Sequence, residues 1–85
     1  MAETDKLEHL IEAANRGEPV ARMSASTSQR LAVALATGQL QALEPPYRTP
    51  TLAWDRLSAK QRDIVARHNP YFADDDFAYR PVLYR

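Results

Sequence analysis

Apolar residues recur along the chain with the three-and-four spacing of helices, and each recurrence opens on a capping signal. In the first, Leu7, Leu10, Ile11 and Ala14 form a stripe. Asp5 stands before it with Glu8 three residues on, an N-cap pair, and Arg16-Gly17 closes it. This predicts a helix over 4–16. The second stripe is Leu31, Ala34 and Leu35, with Val33 beside it. Ser26 and Gln29 make a capping box ahead of it, Gly38 ends it, and Leu40 and Leu43 continue the pattern until Pro45-Pro46. A helix over 27–37 with a short continuation over 39–43 follows. The third opens on another box, Ser58 and Gln61, and turns Ile64 and Val65 inward. His68 ends it, Asn69 is expected as a left-handed cap, and Pro70 forbids continuation. This helix is placed at 58–68, preceded by a turn at Leu52–Leu57 that holds Trp54. Between the second and third patterns, residues 44–51 hold three prolines and read as a stiff extended connector.

The last fifteen residues differ in character. Tyr71, Phe72, Phe77, Tyr79 and Tyr84 are five of the seven aromatics in the chain. Phe77, Tyr79 and Leu83 share one face of an extended strand, Val82 and Tyr84 the other, and Pro81 restricts the segment to an edge strand or an arm. The fold class expected is mainly α, a small three- to four-helix bundle with an extended aromatic C-terminal arm. One domain spans 1–85, with a helical body over 1–70 and the arm over 71–85. The expected core is Leu7, Leu10, Ile11, Leu31, Leu35, Leu40, Trp54, Leu57, Ile64 and Val65.

Composition narrows this picture in two ways. Eighty-five residues allow a single core with a thin stability margin, and without cysteine neither a disulfide nor a thiolate metal site adds to it. The formal net charge is zero, which disfavours a strongly basic nucleic-acid binder and a strongly acidic mimic of one. The charges are nonetheless segregated. Residues 1–18 carry five acids and two bases, a net of −3, and residues 45–68 carry two acids and five bases, a net of +3. No apolar run approaches the length of a membrane span, and Met1–Lys6 is polar and acidic, unlike a secretory signal. A cytoplasmic location is expected.

Candidate chemistry is sparse. His9 lies near Glu8 and Glu12, but no third metal ligand accompanies them, and His68 suits the negative end of its helix. With Gly17 and Gly38 the only glycines, no phosphate-cradling loop can form. Asp74, Asp75 and Asp76 are consecutive acids without the spacing of a ligating loop. No catalytic residue, metal or cofactor is expected. Ala34 and Gly38 have the spacing of a helix-turn-helix, but Pro45 arrives too soon after Gly38 for a recognition helix. The expectation is a non-catalytic protein-binding module, such as a small regulator, inhibitor or accessory subunit, of the kind phages and mobile elements also encode. Its binding residues would be Tyr71, Phe72, Phe77, Tyr79, Arg80, Tyr84 and Arg85, because aromatic and arginine side chains anchor interfaces at low entropic cost. The alternative is a nucleic-acid-binding module using a basic face of the third helix with Arg48, Arg56, Lys60 and Arg67, although Asp63 interrupts that face.

Overall fold

The computed structural model describes residues 3–72. Among these residues four helices follow one another: α1 (Glu3–Asn15), α2 (Thr27–Thr37), α3 (Pro50–Arg56) and α4 (Ala59–His68). Single 3-10 turns lie at Val20–Arg22, Leu40–Ala42 and Pro70–Phe72. The protein is therefore mainly α, a small bundle, as its apolar pattern predicts. No helix among the described residues is long and apolar enough to cross a membrane.

The helix ends follow local chemistry closely. At α2, Ser26 Oγ accepts from the Gln29 amide at 3.2 Å, and Gln29 Oε1 accepts from the Ser26 amide at 3.0 Å. At α4, Ser58 and Gln61 repeat both bonds at 3.2 and 2.9 Å. Each box satisfies two amide donors that a helix start otherwise leaves unpaired. Both glycines end a helix in the left-handed region, Gly17 with φ 103° and Gly38 with φ 72°. Past Gly38, the Gln39 amide reaches back to the Ala34 carbonyl at 2.9 Å and the Gly38 amide to Leu35 at 3.2 Å. Past Gly17, the Glu18 amide does the same to Ala13 at 3.1 Å, so both ends are Schellman turns.

Four boundaries depart from the sequence expectation. Helix α1 begins at Glu3, so Asp5 lies inside its first turn, where its charge faces the positive end of the helix dipole. The connector is shorter than expected, because a helix starts at Pro50. Thr49 caps it by accepting from the Leu52 amide at 3.3 Å, and proline at the first helical position has no amide to lose there. Asn69 is extended, at φ −136° and ψ 99°, not left-handed, since a following proline excludes helical backbone from the residue before it. Tyr71 and Phe72 form a 3-10 turn with Pro70 and so belong to the helical body. The remainder of the expected arm, 73–85, lies outside the described residues.

Helix α2 organises the bundle. Every residue from Leu31 to Ala36 is buried, not only the stripe of Leu31, Ala34 and Leu35, because α1, α3 and α4 all pack against it. A helix apolar on all sides must be enclosed, and Ala32, Ala34 and Ala36 let neighbouring helices approach closely. Leu7 and Ile11 come from α1, Trp54 from α3, and Ile64 and Val65 from α4. Leu10 and Leu40, expected in the core, are only partly buried, whereas Val20, Met23, Leu43 and Phe72 complete it. Val20 and Met23 are delivered by the first 3-10 turn, a position without any helical periodicity to announce it.

Two side-chain bonds fix the direction of α4. Gln61 Nε2 donates to Ser28 Oγ at 3.2 Å, joining the first turns of α4 and α2. Asn69 Nδ2 donates to the Leu35 carbonyl at 2.8 Å, joining their C-terminal ends. The two helices therefore run side by side in the same direction. Parallel neighbours cannot be joined by a tight turn, and the segment from Gly38 to Leu57, with α3 in it, supplies the return.

Two stability effects follow. Nothing lies within 4 Å of a Cβ placed on Gly38, so Gly38→Ala meets only backbone strain; a loss of about 1–2 kcal/mol is expected, read as a lower urea midpoint with unchanged helical circular dichroism. A double-mutant cycle of Ser28→Ala and Gln61→Ala should give a coupling of about 0.5–1.5 kcal/mol. Additive losses would contradict parallel α2 and α4.

Candidate interaction surface

The expected binding aromatics divide on burial. Phe72 is 4% exposed and stacks on Trp54, with ring centroids 5.5 Å apart and planes 14° apart. Tyr71 meets the Phe72 ring edge-on at 5.0 Å and stays partly exposed. Phe72 is thus a core residue, packed on Trp54. Tyr71 sits at the rim of the cluster. Phe77, Tyr79, Arg80, Tyr84 and Arg85 lie outside the described residues.

Arg62 completes the Trp54 environment. Its guanidinium sits 5.6 Å from the indole centroid, and its Nε donates to the Trp54 carbonyl at 3.0 Å. That carbonyl also accepts from the Leu57 amide at 3.1 Å at the end of α3, so the contact ties the C-terminus of α3 to α4 as well as placing a cation on an aromatic face. The Gln-Arg pair in the α4 start marks Arg62 as basic, but only the packing of α3 reveals its role.

The four basic candidates are not equivalent. Arg67 is paired with Asp63 one turn away at 2.7 Å. The hydrogen bond to Asp63, then its charge, raises the Arg67 pKa. With both side chains well exposed the pair is a surface feature that neutralises Arg67, and it removes this arginine from the basic face. Arg48, Arg56 and Lys60 are exposed and make no ion pair among the described residues. His68 pairs with Glu8, holding the end of α4 to α1. Glu8 is therefore engaged by His68, and no group of three His, Asp or Glu able to hold a metal forms among the described residues.

What the sequence pattern does not single out is the surface made by the connector and the outer face of α3. Leu52 is the one large hydrophobic residue that is exposed among the described residues, at 48%. Arg56 follows it one turn later on the same exposed face, and Arg48 stands just before the helix. Asp55 shares this face, so residues 48–60 present three cations to one acid. The backbone beneath is held firmly. Leu43 is buried, Glu44 pairs with Arg30 at 3.2 Å, the Tyr47 amide donates to the Glu44 carbonyl at 2.8 Å, and Pro45, Pro46 and Pro50 restrict φ. Exposed Pro45 and Pro46, a half-buried tyrosine, arginines and one leucine on a frame anchored by buried Pro50 form a surface with interface composition. The signal available in the sequence is Thr49-Pro50, a helix start that turns Leu52 outward opposite Ala53 and Trp54.

The fold and this surface define a class, a small helical domain with an exposed leucine set among arginines. Comparison of the chain with protein-family models, curated proteins and solved structures finds no match.

Phe72→Ala should cost about 3–4 kcal/mol by emptying the stack against Trp54. Tyr71→Ala should cost distinctly less. Urea unfolding followed by tryptophan fluorescence separates them, and equal losses would place Tyr71 in the core beside Phe72.

Proposed function

We propose that the protein is a non-catalytic protein-binding module, a small regulator, inhibitor or accessory subunit, that engages its partner through the connector and the outer face of α3. The observation that carries this reading is Leu52, a large apolar side chain left 48% exposed by a chain short of core material. A lone exposed leucine is ordinary on a protein surface. This one differs in its setting, with Arg48 and Arg56 on either side of it along the chain, both exposed and without ion pairs among the described residues, above a proline-stiffened backbone. A rigid patch loses little entropy on binding, and arginine beside an apolar anchor is a recurrent hot-spot composition. The aromatic residues 77–84 would extend the same function if they reach the partner.

Nucleic-acid binding is the second reading. It is favoured by Arg48, Arg56 and Lys60 standing exposed together in one stretch of chain, and weakened by the neutralisation of Arg67. After Gly38 only the 3-10 turn Leu40–Ala42 forms, so a recognition helix in the manner of a helix-turn-helix is not part of it.

The deciding variant is Leu52→Asp, whose side chain is already in water, so that helical circular dichroism and the urea midpoint should stay within about 0.5 kcal/mol of the parent. A protein retained from nuclease-treated lysate by the parent chain should be lost by this variant. Retention by both would refute the α3 surface. Retention that vanishes on nuclease treatment, with affinity for DNA or RNA falling steeply as salt rises, would transfer the function to the second reading.

A further inference from the structure

We infer that the partner of the α3 surface is an acidic protein segment that lays one apolar side chain on Leu52 and places carboxylates against Arg48 and Arg56; this rests on the protein-binding reading above. Three features of the surface select this chemistry. The first is the single apolar anchor, which calls for a small apolar contact and not a broad hydrophobic face. The second is charge. Glu44, the acid nearest to the connector, is held by Arg30, and the Asp63 carboxylate is held by Arg67, so neither is available to neutralise Arg48 or Arg56. Along residues 48–60 Asp55 is the one acid, and Lys60, in the first turn of α4, adds a third exposed cation. The surface therefore attracts carboxylates and repels a basic partner. The third is spacing. Leu52 and Arg56 are one helical turn apart, about 6 Å along the axis, which a helical partner matches with an acid one turn from its own leucine. Arginine in such a position takes a carboxylate through two parallel N–H donors, which sets orientation as well as charge. Complementary charge of this kind acts most on encounter rate and partner choice, while the leucine contact supplies the short-range attraction.

The probe is a synthetic helical peptide carrying one leucine with glutamates four residues to either side, set against the same peptide with lysines in place of the glutamates. Binding to the full chain is followed by amide and methyl NMR shifts. The acidic peptide should move Arg48, Leu52 and Arg56, and the lysine peptide should not. The Arg48→Glu/Arg56→Glu double variant should bind the acidic peptide roughly tenfold more weakly and gain affinity for the lysine peptide. Equal binding of both peptides by the parent chain, shifts centred elsewhere, or failure of the double variant to exchange preference would overturn the proposal. So would a concentration-dependent dimer in sedimentation that Leu52→Asp abolishes, since the face would then belong to a second copy. If a captured partner depends on Leu52 but not on the two arginines, the acidic partner falls and the protein-binding reading stands. If capture ignores Leu52, the reading itself falls.

Discussion

Enclosing α2 is the constraint on which the rest of the structure depends. Six consecutive residues, Leu31 to Ala36, are buried, and no single neighbouring helix can cover a helix on every side. The chain meets this with α1 on one flank, α4 on another and α3 on a third, each offering a few large side chains to the alanine-rich surface between Leu31 and Leu35. Each fully buried Leu, Ile or Val contributes about 1.5–3 kcal/mol, and in a domain this small the margin left after chain entropy is narrow. That is why short elements matter here. The 3-10 turns at Val20–Arg22 and Pro70–Phe72 each deliver a buried side chain, Val20 and Phe72, to places the helices leave open.

Polar contacts set the register of this packing. Among the described residues Gln29 and Gln61 are the buried polar ones, and both are satisfied by the capping boxes they complete. Gln61 also reaches across to Ser28, and Asn69 bridges the Leu35 carbonyl and the Tyr71 amide, at 2.8 and 3.2 Å. No buried side-chain nitrogen or oxygen among the described residues lacks a partner. A slip of α4 along α2 would leave several of these groups unpaired in a dry environment, which costs more than the bonds themselves contribute. The same economy explains the outer surface. Once Trp54 faces inward to meet Phe72 and Arg62, the geometry of a helix leaves Leu52 facing water.

The helices α1, α2 and α4, the capping boxes of α2 and α4, the two glycine ends and most of the core were legible in the chain, because capping and amphipathic spacing act over three or four residues. Ser26-Gln29 and Ser58-Gln61 specify their bonds wherever the chain goes, and Gly17 and Gly38 are the residues that adopt positive φ without strain. The class of fold and the absence of a membrane-length helix among the described residues follow at that level. Only the tertiary structure decided the rest, since it depends on which surfaces meet. Nothing local distinguishes a helix covered on one side from one covered on three, so the burial of Val33 and Ala36 and the parallel course of α4 emerge only from packing. Phe72 and Tyr71 are adjacent aromatics with the same local signal, and the position of Trp54 sends one into the core and leaves the other at its rim. The Asp63–Arg67 pair, four residues apart on one helix, is local and legible in the sequence; that Arg56 has no ion-pair partner among the described residues is not. The exposure of Leu52 was settled in the same way: its own residue type argues for burial, and the orientation of α3 against α2 overrules it.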